Sequence, residues 1–171
     1  VMGFAGHYET GEAIPKDLFE RLVKAKNYRS GSGTLRQLYF GHLDMELHHH
    51  YDPAGEETVA AVKDRVVSTW TVVPPLPEDH FECSFGHIFS GGYSAGYYSY
   101  KWAEVLSADA FGAFEEAGLS DERAVEGTGR RFRETVLALG GSRPPGAVFA
   151  QFRGRGPSSD ALLRHHGLLA S

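Results

Sequence analysis

The residues best equipped for chemistry lie between His87 and Tyr100, in the run His87-Ile88-Phe89-Ser90-Gly91-Gly92-Tyr93-Ser94-Ala95-Gly96-Tyr97-Tyr98-Ser99-Tyr100. Four phenols and an imidazole surround a glycine pair. A tyrosine hydroxyl can donate to a carbonyl oxygen while its ring buries apolar area, and glycine lets the main chain approach a ligand or take positive φ. That mixture suits the binding of a peptide. Read only as residues, the same tyrosines serve equally well as rings packed around a helix start. A phosphate-binding loop is a poor fit, because Gly91-Gly92 and Gly96 match neither GxGxxG nor GxxxxGK[ST] and no strand precedes them.

Two other groups invite chemical readings. His48-His49-His50 looks like a metal tract, but successive helical residues point roughly 100° apart, so three in a row do not converge on one ion. His42, Glu46 and His49 or His50 share a helix face without a known ligand spacing, and a structural or solvated role is expected for them. Cys83, with His80 and His87 near it in sequence, is expected to be an ordinary thiol, not a nucleophile.

The elements that must position these residues read as helices. Pro15 to about Arg29 begins with a proline suited to a first helical position and places Leu18, Phe19, Leu22 and Val23 on one face, with Gly31-Ser32-Gly33 ending it. Thr34 to about His50 carries Leu35, Leu38, Tyr39 and His42 on a stripe. Glu56 to Trp70 turns Val59, Val62, Val66, Val67 and Trp70 inward. Pro74-Pro75-Leu76-Pro77 interrupts regular structure. A long helix is expected from about Ala95 to Glu116, burying Trp102, Val105, Leu106 and Phe111. Another spans Arg130 to Leu139, bounded by Gly127 and Gly129 and stopped by Gly140-Gly141, and a last one spans Ser158 to His166. Six helices without period-two alternation predict an all-α fold, and the 21 glycines fall mostly between helices.

The tyrosine run resembles the segment that follows the zinc site in the thimet oligopeptidase and oligopeptidase A family of zinc metallopeptidases. The likeness extends over Gly6-His7-Tyr8-Glu9-Thr10-Gly11-Glu12, Leu35-Arg36-Gln37-Leu38, Lys101-Trp102-Ala103-Glu104-Val105-Leu106-Ser107-Ala108-Asp109-Ala110-Phe111, Gly140-Gly141-Ser142, Phe152-Arg153-Gly154-Arg155 and Asp160 to Leu168. It implies that residues 1–171 are a single segment, the C-terminal part of a mainly helical zincin-type catalytic domain. Such enzymes bind zinc through an HExxH helix and a further glutamate upstream of the matched region. No histidine here is followed by glutamate, and scattered histidines do not substitute for ligands at i and i+4 with a general base between them. The resemblance therefore implies a substrate-binding part, inactive alone, whose zinc is bound outside this chain.

By the same resemblance, Tyr93 and Tyr100 contact the substrate carbonyl and the developing oxyanion, and Tyr97 positions substrate. His87 hydrogen-bonds the substrate backbone, Gly91 and Gly92 supply loop mobility, and Tyr98 is structural. A phenol aimed where charge develops strengthens its hydrogen bond as the charge grows. Read as residues, Arg153 and Arg155 either pair with carboxylates near a peptide channel or brace the last helix, and bracing is the expectation. Relatives often carry glutamate where Gly156 stands. The implied partners are short peptides and the zinc-bearing part of the same enzyme. The alternative reading is a non-catalytic peptide-binding module derived from that family.

Bulk properties agree with this. Seventeen Lys and Arg against 22 Asp and Glu give a net charge of −5 with no basic block, which argues against nucleic acid. No apolar run approaches the roughly 20 residues of a membrane span. A single cysteine fits a reducing compartment, so a cytoplasmic protein is expected.

Overall fold

The computed structural model describes residues 5–169. Among them the regular secondary structure is helical, apart from one isolated antiparallel bridge between Gly6 and Ala13. The elements are α1 (Lys16–Ala25), α2 (Ser30–Met45), α3 (Val59–Trp70), α4 (Phe81–Ser84), α5 (Gly86–Phe89), α6 (Ser99–Ala117), α7 (Glu122–Phe132), α8 (Pro145–Arg153) and α9 (Asp160–His165). The all-α expectation holds.

α2 does not stop at Met45. It widens over Glu46–His50 into a π-turn, in which the Tyr51 N–H reaches the Glu46 carbonyl at 2.8 Å. α3 packs along α2, and Thr58 caps it by accepting the Ala61 N–H at 3.2 Å. Tyr39, Phe40, Leu43, Val62, Val66, Val67, Phe85, Ile88 and Tyr97 form one buried cluster. The inward Val62, Val66 and Val67 agree with the sequence pattern, whereas Val59 and Leu38 face solvent.

A second core joins α6 to α7, α8 and α9, with Ala108, Ala113, Val148, Phe149, Phe152 and Ala161 buried. Phe132 meets Phe152 edge-on at 5.2 Å between centroids. The end of α9 returns to the start of α2, where Ser30 Oγ donates to the His166 carbonyl at 2.7 Å.

Several expected boundaries shift for identifiable reasons. Gly31-Ser32-Gly33 lie within the first turns of α2, because Arg29, at φ 56°, makes the reversal between helices. Gly127 and Gly129 sit inside α7, which begins eight residues earlier than expected at Glu122. There Asp121 accepts the Ala124 N–H at 3.0 Å and defines the true N-terminus. α8 was not expected, although Pro145 at its first turn and the apolar Val148, Phe149 and Phe152 carry its signal. α7 runs on through a π-turn over Arg133–Leu137, and Gly140, at φ 47°, does end this continued helix. Trp102 and Phe111 are about half exposed, not buried, while the inward face of α6 is lined by the small Ala108, Gly112 and Ala113 and by Asp109.

Candidate substrate-contacting site

α5 and the loop after it present the residues singled out in the sequence. The geometry of Gly91 explains the glycine pair. A Cβ there would stand 2.8 Å from both the Cα and the carbonyl oxygen of His87. The chain doubles back over α5, with the Gly91 N–H on the Gly86 carbonyl at 2.9 Å and the Tyr93 N–H on the His87 carbonyl at 3.1 Å. Gly92 has open space but sits at φ 80°, in the left-handed region. Close approach at one position and positive φ at the next bring His87 and Tyr93 onto the same side.

The aromatic rings then stack as a ladder. Tyr93 and Tyr100 lie 4.8 Å apart between centroids, Tyr97 and Tyr100 5.2 Å, and His87 lies 6.3 Å from Tyr93 and 5.9 Å from Tyr97. Tyr97 forms the floor. It is buried against Phe40 and Phe85, and its hydroxyl donates to Gln37 Oε1 at 3.1 Å. Burial pushes the Tyr97 phenol above its ordinary value. Tyr98, expected as the structural member, is instead more than half exposed.

Tyr100 is the accessible phenol with the most distinctive chemistry. Its pairing with the Tyr93 hydroxyl, aided by desolvation and the neighbouring Tyr97, pushes its pKa up to about 12. It keeps its proton across the physiological range and remains a donor.

Sequence reasoning passed over the residue that holds this loop. Asp44, fully buried on α2, accepts the N–H groups of Ala95, Gly96 and Tyr97, each at 2.9 Å. His48 Nδ1 lies 2.9 Å from the same carboxylate. The only clue in the sequence was an acidic residue between the apolar Leu43 and Met45 of a core-facing helix.

His42 and His50 are also engaged. The π-turn brings His42, Glu46 and His50 together, with His42 Nε2 and His50 Nδ1 each 3.2 Å from Glu46 Oε1 and Arg65 2.9 Å from Oε2. Trp70 Nε1 donates to His42 Nδ1 at 2.7 Å, so Nε2 carries the His42 proton and donates to Glu46. The Arg65 hydrogen bond holds Glu46 below its usual carboxylate range. Among the described residues no group of three or more His, Cys, Asp or Glu side chains is arranged to hold a metal ion. The described residues therefore do not fit a zinc centre. The Cys83 thiol is exposed.

Arg153 and Arg155 brace the C-terminal helices, as expected. Both pair with the buried Asp109, Arg155 through two contacts of 2.7 Å and Arg153 Nε at 3.0 Å, while the Ser158 N–H adds a fourth donor at 2.7 Å. Arg153 also grips Glu116 bidentately at 2.8 and 2.7 Å. Arg155 donates to the Gly156 carbonyl, so the pairing holds without a carboxylate at position 156.

The resemblance read from the sequence is borne out by comparison: the chain belongs to peptidase family M3, whose family model matches residues 2–168. It is similar to organellar oligopeptidase A, chloroplastic/mitochondrial, of Arabidopsis thaliana, at 59% identity over 171 residues, all of this chain and 22% of that relative. Probable cytosolic oligopeptidase A of the same plant is likewise 59% identical over 171 residues, with 24% of its length covered. Oligopeptidase A of Escherichia coli (strain K12) is 46% identical over 168 residues, covering 96% of this chain and 24% of the relative. The chain thus spans about a quarter of the length of the curated relatives it matches. No helix among the described residues is long and apolar enough to cross a membrane.

Proposed function

We propose that this segment is the substrate-contacting part of a metallo-oligopeptidase catalytic domain that hydrolyses internal bonds of short peptides, with the metal held by parts of the enzyme outside residues 1–171. The observation that carries the reading is the cluster of the half-buried Tyr93 with the exposed Tyr100, ring centroids 4.8 Å apart, beside the accessible His87. Tyr100 and Tyr93 donate to the carbonyl oxygen of the scissile peptide and to the oxyanion it becomes. His87 hydrogen-bonds the peptide backbone, and Gly91 and Gly92 shape the loop that receives it. Tyr97 positions substrate indirectly, as the buried floor on which Tyr100 rests. The segment has no peptidase activity by itself, and a cytosolic setting, as the name of one Arabidopsis relative has it, completes the reading.

The test combines the segment with the remaining three quarters of a close relative and measures hydrolysis of a short fluorogenic peptide. Recovered turnover is expected. Tyr100→Phe should then lower kcat and kcat/KM together by roughly 10²-fold, the typical loss for one oxyanion donor, with KM nearly unchanged. Peptide binding by the segment without recovered turnover would favour a non-catalytic binding module instead. Loss of folding in Tyr100→Phe would make that phenol a packing residue.

A further inference from the structure

The four acceptor sites of the Asp44 carboxylate are all taken. Oδ1 receives the Ala95 N–H and His48 Nδ1, both at 2.9 Å, and Oδ2 receives the Gly96 and Tyr97 N–H groups, both at 2.9 Å. His48 Nδ1 also lies 3.1 Å from the main-chain carbonyl of Asp44. Both neighbours are acceptors, so Nδ1 carries the proton and its donation locks the carboxylate in place. The side chain is fully buried, and its helix runs so close to the loop that a Cβ at Gly41 would touch Tyr98 at 3.5 Å.

Three consecutive N–H groups aimed at one residue constrain a backbone strongly. They belong to the residues between Tyr93 and Tyr100, and one of them, Ala95, is a non-glycine residue at φ 53°. An L residue keeps that conformation only where its surroundings over-determine it. Sliding or rotating this stretch by one residue would unmake all three bonds and carry Tyr97 and Tyr100 away from Tyr93. Asparagine does not replace the carboxylate, because it offers one oxygen and turns an N–H donor toward two others.

Resting on the function proposed above, we propose that Asp44, locked by His48, is the positioning residue of the tyrosine site: it sets the height and rotation at which Tyr100 meets the scissile carbonyl. Asp44 touches neither substrate nor metal and acts through Tyr100.

The experiment is a double-mutant cycle in the intact enzyme carrying this segment. Asp44→Asn should lower kcat by roughly ten- to a hundredfold with little change in KM, as a misplacement of about 1 Å does to an oriented group. The Asp44→Asn/Tyr100→Phe double variant should be no slower than Tyr100→Phe alone, since a misplaced phenol and a missing one lose the same interaction. Should Asp44→Asn fail to fold, His48→Leu asks the same question more gently. It should cost several-fold in kcat without additivity to Tyr100→Phe, and His48→Asn, whose amide N–H can replace the Nδ1 donor, should restore most of the rate. Independent, multiplying effects of the two sites, or a fall in activity that only tracks the folded fraction, would overturn the role of Asp44 while leaving the tyrosine site intact. An unimpaired Tyr100→Phe enzyme would overturn the tyrosine site, and the positioning role with it.

Discussion

Replacing Gly91 by alanine isolates the geometry that creates the site. The added methyl would lie 2.8 Å from His87 Cα, 2.8 Å from its carbonyl oxygen and 3.2 Å from its carbonyl carbon. Ordinary contacts between carbon atoms begin near 3.5 Å, so the methyl is short of room by roughly 0.7 Å. The obstructing atoms are backbone, which cannot swing aside as a side-chain tip would. The loop must lift off α5, stretching the Gly91 N–H bond to Gly86 and the Tyr93 N–H bond to His87. Overpacking costs about 1–3 kcal/mol, and weakening two hydrogen bonds adds about 1–2 kcal/mol. The reduced freedom of the unfolded chain returns less than about 1 kcal/mol. The net loss of roughly 2–4 kcal/mol should lower Tm by ~5–15 °C in a chain of this size. Thermal melts followed by circular dichroism measure it, with Gly127→Ala as control. A Cβ at Gly127 meets nothing within 4 Å inside α7, so that change should stabilise by up to about 1 kcal/mol. If Gly91→Ala melts at or above the temperature of the unaltered chain, the close approach does not exist and the loop is not held as described.

Two further outcomes follow from the charged and phenolic groups. Burial raises the Asp109 carboxyl, but the Arg155 hydrogen bonds, the Ser158 N–H and Arg153 outweigh it and hold its pKa below the ordinary value. The stability this supplies is present above the unfolded pKa near 4 and is lost as pH falls through the lower folded value. Urea midpoints should therefore drop steeply below about pH 4, and Asp109→Ala, which leaves two arginines facing each other, should cost about 3–5 kcal/mol at neutral pH and flatten that acid slope. Tyr100, pushed up to about 12, favours the folded state below the unfolded phenol value near 10 and loses that contribution as pH rises toward 12. Ultraviolet titration of wild type against Tyr100→Phe should show the missing phenol to be a late-ionising one, whereas a difference centred near pH 10 would contradict its pairing with Tyr93.

Much of this protein was legible one residue at a time. The valines of α3, the glycine stop at Gly140 and the proline break between α3 and α4 are local matters of period, backbone freedom and missing donors, so they can be read from neighbours in the chain. The clustering of His87, Tyr93 and Tyr100 was legible too, since they lie within one loop and its two flanking helices. Tertiary structure alone decided which tyrosine is buried and what holds the loop. Tyr97 and Tyr98 are adjacent and chemically identical, and only the position of Phe40, Phe85 and Gln37 chooses the first for the core and leaves the second in solvent. Asp44 stands 51 residues before the first N–H it accepts, and Asp109 44 residues before the first of its arginines. A buried carboxylate draws its partners from whatever the fold brings within 3 Å, and sequence spacing carries no record of that.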